Sequence, residues 1–418
     1  MRRLLLLAAA LAAAPAAAQG AGNELRPERL YLNPTGVLLG STRTIALGGA
    51  YVGVAEGASG FTSNLAALAQ RSPYLDRDWD LGFALSWLDL PFVSPVKRDL
   101  DNDGVPDQAT ESRQFLAGVM LQYKQFGIGT YWRDTLFSYC KVSGYDCRPG
   151  DRFTIDASNL ALAGAVALGR DDFIAAVGLY NAQATIGGFM DGDRRYGGTG
   201  LAVDALYRPH GLAYRVGLSV RPQVVGAYGA GQSGAVVVDN RRLYSAVVSP
   251  AVVSLGGSVR LGEGAGLYNR YSTAARRDIL KRFGEAWAPE EVPDDAPAGS
   301  WLVTAQLDFI SATESTVPLS AFVDLRVQTG LQEAELVGRD SYLSPHLGAE
   351  HDTIPGRLRS RVGTFLEPSP FRGRQPRVHV TGGLEVFLYD YWDKWSVSTS
   401  VDFAQHYYNV GLSVGFWR

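Results

Sequence analysis

Four carboxylates within nine residues are the first feature of this sequence able to do chemistry. The run Asp99-Leu100-Asp101-Asn102-Asp103-Gly104-Val105-Pro106-Asp107 places Asp99, Asp101, Asp103 and Asp107 at positions 1, 3, 5 and 9, with Gly104 at 6 and Val105 at 7. Calcium takes hard oxygen ligands, a glycine at position 6 permits the sharp turn, and residue 7 offers a carbonyl. Position 12 is Thr110 instead of Glu, and no helices flank the run, so it matches extracellular calcium modules better than an EF-hand. Asp99, Asp101, Asp103, Val105 and Asp107 are the expected ligands of a structural calcium, with affinity on the order of millimolar. A plain acidic, solvated turn is the competing reading.

Cys140 and Cys147 are the only two cysteines, seven apart in a stretch that reads as one loop. An oxidising compartment favours a disulfide between them over two free thiols. The five histidines, His210, His346, His351, His379 and His406, show no metal spacing, and His346 and His351 read as solvated loop residues. Neither a Gly-x-Ser-x-Gly elbow nor a phosphate loop nor HExxH occurs, so no enzyme and no cofactor is expected.

These residues must be carried on some scaffold, and the chain start indicates where it works. Arg2 and Arg3 precede an apolar run over 4–14, followed by Pro15 and the small residues Ala16-Ala17-Ala18. That pattern predicts a signal peptide, residues 1–18, and the apolar run is too short for the ~20 residues of a spanning helix. No later segment supplies such a helix. With 39 basic against 42 acidic residues the formal charge is −3, which argues against a nucleic-acid partner. A hydrophobic content of 46% excludes disorder as the main state.

From residue 78 onward, segments of ten or more residues alternate with period 2. Trp79, Leu81, Phe83, Leu85 and Trp87 share one face, and Asp80, Gly82, Ala84 and Ser86 the other. Similar faces join Leu212, Tyr214, Val216, Leu218 and Val220; Trp301, Val303, Ala305, Leu307 and Phe309; and Tyr408, Val410, Leu412, Val414 and Phe416. From Trp79 to Trp87 is about 26 Å at ~3.3 Å per residue, matching an apolar band of about 25 Å bounded by aromatic girdles. A soluble sandwich would use strands of about 5–6 residues.

The pattern predicts an all-β fold, a transmembrane antiparallel β-barrel of about 14 strands spanning 78–418. Its strands fall near 79–90, 113–124, 126–137, 153–168, 172–188, 198–207, 211–227, 246–262, 300–313, 316–329, 355–367, 375–388, 395–404 and 407–418. Short turns near 124–126, 169–171 and 208–210 belong to the periplasmic side, and the longer connections to the outside. The connection 263–299 would be periplasmic yet long, with a helix over 274–283 capped by Thr273. So wide a barrel leaves a lumen that side chains alone do not fill. Residues 19–77, rich in Gly and Ala, are the expected plug. Arg215, Arg221, Arg359, Arg361, Glu385 and Asp402 would face the lumen. Most read as its ordinary polar lining, with Arg359 and Arg361 the candidates to meet an anionic head group.

Within the plug segment, the stretch from Ser41 through Leu47-Gly48-Gly49-Ala50-Tyr51-Val52 to Ser63-Asn64-Leu65-Ala66-Ala67 resembles the N-terminal segment of the long-chain fatty-acid transporter family of outer-membrane barrels. A later stretch, Arg361-Val362-Gly363 and Glu367-Pro368-Ser369-Pro370, looks like that family's late strand. The family's Asn-Pro-Ala-Gly stands here as Asn64-Leu65-Ala66-Ala67, and the chain ends Phe416-Trp417-Arg418 instead of on an aromatic residue. The resemblance implies a Gram-negative outer-membrane location, lipid and barrel-assembly machinery as partners, and passive uptake of small hydrophobic or amphipathic molecules such as fatty acids, gated by the plug. A second function is kept beside it: a non-transporting barrel that docks or helps assemble secreted proteins. A lumen occluded by polar side chains would favour that second function, and apolar residues converging between plug and wall would favour uptake.

Overall fold

In the computed structural model, residues 26–32, 40–90, 98–106, 109–141, 151–189, 192–229, 237–238, 241–284, 300–391 and 393–416 are described. The expected signal peptide, residues 1–18, lies outside them. The first strand, β1 (Arg26–Tyr31), precedes two short helices, α1 (Thr42–Ala46) and α2 (Gly57–Gly60), and a 3-10 turn at Leu65–Ala69. Then come β2 (Trp79–Leu88), β3 (Ala109–Tyr123), β4 (Phe126–Cys140), β5 (Arg152–Leu168), β6 (Phe173–Gly187) and β7 (Arg194–Tyr207). Next are β8 (Tyr214–Arg221), β9 (Val224–Tyr228), the small pair β10 (Val237–Val238) and β11 (Arg241–Arg242), β12 (Tyr244–Ser249) and β13 (Val252–Leu261). Helix α3 (Thr273–Phe283) leads to β14 (Trp301–Ile310), β15 (Thr316–Val317), α4 (Ser320–Val323) and α5 (Leu325–Gln328). The chain finishes with β16 (Tyr342–Ile354), β17 (Leu358–Glu367), β18 (Arg377–Tyr391), β19 (Asp393–Ala404) and β20 (Tyr407–Phe416).

The wall is a closed barrel of fourteen antiparallel strands, sealed where β2 pairs with β20. Period-2 alternation builds it as expected. In β14 the residues Trp301, Val303, Leu307 and Phe309 are exposed, while Leu302 and Thr304 are buried. Trp79, Tyr123, Phe126, Phe173, Tyr207, Tyr214 and Trp301 form an exposed aromatic ring at the short-turn end. Trp87, Phe115 and Trp132 stack edge to face toward the other end, with centroids 6.0 and 5.4 Å apart.

Two wall strands are each made of two pieces, β8 with β9 and β12 with β13. Arg221 faces Val252 and Val224 faces Ser249, so Pro222-Gln223 and Ala251-Pro250 meet at the break. Proline brings no N–H to a ladder, and here both facing strands carry one, a single step apart in the register. Beyond it, β12 takes β1 as a parallel neighbour, and β1 also pairs with β15. Hence residues 26–31 of the expected plug segment lie in the sheet, and residues 40–75 fill the lumen.

The expected strand over 316–329 is absent: that stretch holds only the two-residue β15 followed by α4 and α5. The missing wall strand is β16, whose alternation of Leu343, Leu347 and Ala349 is masked by Pro345 and by the ionisable inward residues His346, Glu350 and Asp352. His346 is accordingly buried in the wall, not solvated in a loop, and His351 faces outward, stacked on Trp301 at 4.3 Å. With β16 counted, the 262–300 connection sits at the same end as the short turns 124–125, 169–172 and 208–213. Its helix begins at Thr273, and the capping oxygen belongs to Ser272, which accepts from Ala275 N at 3.0 Å.

Candidate functional site

The plug is shaped by local rules before it meets the wall. Ser41 Oγ accepts from Thr44 N and starts α1. Gly48 and Gly49 then turn the chain at φ +64° and +79°, a region glycine reaches without strain. Asn64 caps the 3-10 turn by accepting from Ala66 N at 2.9 Å, while its Nδ2 donates to Val52 O at 2.9 Å and Ala205 O at 3.1 Å. Leu65 N donates to Asp204 Oδ2 at 2.5 Å. A proline at 65 would have no N–H for that bond, so this wall residue accounts for leucine in the Asn-Leu-Ala-Ala sequence. Wall glycines admit the plug backbone: a Cβ on Gly217 would stand 2.0 Å from Val52 O, and one on Gly363 would stand 2.3 Å from Gly48 N.

The lumen wall has two unlike halves. From β13 through β20 it is polar, and its side chains hold the plug. Gln306 Oε1 accepts from Tyr51 N at 3.0 Å and Val52 N at 2.9 Å, Thr304 Oγ1 donates to Ala50 O at 2.7 Å, and Ser258 Oγ donates to Gly53 O at 2.8 Å. His346 Nδ1 lies 2.7 Å from Gly48 O and therefore carries the proton there. At the centre, Arg43 of the plug grips Glu350 with Nε and Nη2, both at 2.8 Å, and also reaches Glu56 at 3.0 Å. Glu56 in turn meets Arg215 at 2.8 Å. Such forked guanidinium–carboxylate contacts fix direction as well as charge.

From β3 through β7 the inward face is mainly apolar, interrupted by Gln114, Gln122, Thr135 and Asp204. Ala161, Ala163, Ala165 and Ala167 on β5, Ala176, Ala182 and Ala184 on β6 and Ala202 on β7 are all buried. They join one continuous cluster that runs from the plug residues Phe61 and Leu65–Ala69 past Tyr131, Phe137, Phe153 and Ile186 to Phe189, Leu243 and Phe322 near the long-loop end.

The lumen arginines marked in the sequence are already engaged. Arg361 Nε donates to Glu350 at 2.6 Å and its Nη2 to Glu385, and Arg359 Nε donates to Asp352 at 2.5 Å. These two were the candidates for an anionic head group; the structure gives them carboxylates of the wall. Arg133, which sequence reasoning missed, is different. It projects from β4 into the apolar half opposite Asn159, to whose Oδ1 its Nη2 donates. Among the described residues no carboxylate forms an ion pair with it. Only tertiary placement distinguishes this arginine from the paired ones, so no sequence signal marked it.

In the acidic loop, Asp99, Asp101 and Asp103 bring carboxylate oxygens within 4.8 Å of one another. The donor set is all oxygen, as calcium requires. The same oxygens also accept from Asp103 N, Gly104 N and Val105 N, and Arg377 Nη1 stands 3.5 Å from Asp99 Oδ2. Burial holds the Asp99 carboxyl above its ordinary range. Asp107 lies outside the described residues. Cys140 ends β4, and Cys147 also lies outside them.

No family model and no curated protein matches the chain. Solved structures do resemble it. CymD, described as a monoaromatic hydrocarbon channel, aligns with a TM-score of 0.53 at 10% identity over 91% of this chain and 97% of its own. The P. putida toluene transporter TodX aligns at 0.52 and 10% over 91% and 98%. A Pseudomonas aeruginosa FadL homologue aligns at 0.51 and 10% over 92% and 99%. At this identity the likeness establishes the fold: the chain is a FadL-like barrel.

Proposed function

We propose that this protein is an outer-membrane channel through which small hydrophobic or amphipathic molecules pass without chemistry, closed at rest by its plug. The observation that carries the reading is the unbroken apolar column from the long-loop end to Leu65–Ala69 of the plug. A hydrophobic solute crosses such a lining without the desolvation cost that a polar lumen imposes on an aqueous one. Two of the structures named above, CymD and TodX, whose descriptions speak of monoaromatic hydrocarbon and toluene, share this fold and support the same cargo class. The docking alternative expects a lumen filled by polar side chains, and half of this one is alanine, tyrosine and phenylalanine. The location follows as a Gram-negative outer membrane, with lipid around the aromatic rings and the assembly machinery needed for insertion.

For amphipathic cargo, Arg133 is the group available to a carboxylate, because it sits in the mainly apolar half and no acid among the described residues pairs with it. Fatty acids are thereby a suitable cargo, with the chain along the alanines and the head group at the guanidinium. A calcium ion at Asp99, Asp101 and Asp103, with the Val105 carbonyl and Asp107, would stiffen the loop over the long-loop mouth.

Two measurements test this. Deleting residues 41–70 turns a nearly silent protein into one with steady conductance in planar bilayers; an intact folded deletion with unchanged conductance defeats the plug. Arg133→Leu lowers uptake of pyrenebutyrate by intact cells at least about tenfold, the worth of a charged hydrogen bond of ~1.5–3 kcal/mol, and spares uncharged pyrene. Equal loss of both probes removes the carboxylate role and leaves the channel.

A further inference from the structure

The 262–300 connection lies at the end where every other wall turn is short, and its described part does not hang free. It runs beneath the plug. Tyr268 enters a cluster with Leu47, Tyr51 and Val54 of the plug and Leu302 of the wall. Its hydroxyl lies 2.7 Å from Ser258 Oγ. Arg215 joins the layers: it donates to Val54 O at 2.9 Å and Glu56 at 2.8 Å above, and to Tyr268 O at 2.6 Å and Asn269 Oδ1 at 2.8 Å below.

Helix α3 then docks on the limb by which the plug leaves the lumen. Ala274 N donates to Leu75 O at 3.3 Å, and Arg277 Nη2 to Asp76 O at 2.6 Å. Arg71 of that limb pairs with Asp278 at 3.0 Å and lies 3.7 Å from Asp171 in the β5–β6 turn. Arg282 closes the ring, 2.9 Å from Asp171 and 3.3 Å from Asp278. Tyr271, Ala275 and Ile279 supply the apolar underside. The ring is ionic and incompletely satisfied. Arg71 Nε and Nη1 and Arg208 Nε, all buried, meet no partner among the described residues, and such groups gain hydrogen bonds when water is admitted.

We propose that residues 262–284 are a floor clasped to the outgoing limb of the plug, and that plug and floor must release together for cargo to leave at the short-turn end. The inference rests on the plugged-channel reading and adds a second closure to it. Wall contacts from both halves hold the body of the plug, and while Arg71 is held by Asp278 its outgoing limb is also pinned across the mouth.

Arg277 is exposed and Asp78 half-exposed, with Oδ1 and Nη2 3.8 Å apart, so they mark where the clasp can be locked after folding. In a Cys140→Ser, Cys147→Ser background, Asp78→Cys and Arg277→Cys are joined in intact cells by a short bis-maleimide with a cleavable disulfide spacer. Pyrene uptake is expected to fall at least tenfold, to that of cells lacking the protein, and to recover when the spacer is reduced. Single-cysteine variants treated alike keep full uptake. Undiminished uptake with the cross-link complete overturns the floor. If the 41–70 deletion conducts in the same series, that result leaves the plugged channel standing; if neither the deletion conducts nor the uncross-linked protein takes up pyrene, the channel reading itself has failed, and the floor with it.

Discussion

Glu350 is the residue on which the plug's attachment converges. It is buried, accepts two bonds from Arg43 of the plug and a third from Arg361 of the neighbouring strand. Removing one partner of a buried ionic set leaves its charges uncompensated, at a cost of about 3–5 kcal/mol. Glu350→Ala is therefore expected to lower resistance to urea by that order and to expose the Arg43 region to trypsin, read by limited proteolysis of the folded protein. The exposed pair Arg372–Asp340, whose nitrogen and oxygen lie 2.8 Å apart, serves as the control: Asp340→Ala leaves both readouts unchanged, because a solvated pair is screened. Equal sensitivity of the two variants contradicts the latch. The carboxylate at 350 could not be singled out among 42 acidic residues, since its partner Arg43 lies 307 positions away.

Among the elements, the loop carrying Asp99, Asp101 and Asp103 was legible because ligand spacing is local. Its six-residue turn needs left-handed backbone at Asn102 and Gly104, at φ +60° and +86°. If calcium binds there, the ion protects residues 91–112 from protease, and the protection disappears with chelator; identical cleavage patterns reject the site. Mass spectrometry of unreduced tryptic peptides is expected to find Cys140 joined to Cys147, and alkylation of both without reductant rejects the bridge. The break at Pro222 and Pro250 was not legible. Each proline alone reads as a turn or strand end, and only the register between β8 and β13 sets them side by side.

At the scale of the whole molecule, the outer surface is an apolar band bounded by aromatic residues, and the interior is divided between a polar half that holds the plug and a mainly apolar half. A surface of this kind has no stable place in water. The mature chain is expected to fold only with detergent or lipid and to migrate faster on gels before heating than after. Recovery of the chain as a soluble periplasmic monomer would refute this. The division of the lumen explains why 48 glycines and many alanines coexist with so many buried ions: small residues bring strands and plug close, and the charges opposite hold the plug in register.

The sequence by itself determined the barrel, its count of about fourteen strands and the outward face of the strands it located, because period-2 alternation is a local pattern that a lipid-facing wall imposes on each strand. It misplaced one strand, reading 316–329 where Tyr342–Ile354 stands. The inward face of that strand is ionic, and ionic faces are stable in a wall only when partners from β17 and the plug arrive. Tertiary structure alone decided which arginines are spent on the plug, that Arg133 meets no acid among the described residues, and that residues 268–283 lie beneath the plug. Each of these depends on charges and rings brought together from distant parts of the chain, and the energy of such a pair is set by separation in space and by burial, neither of which is written in the spacing of residues along the chain.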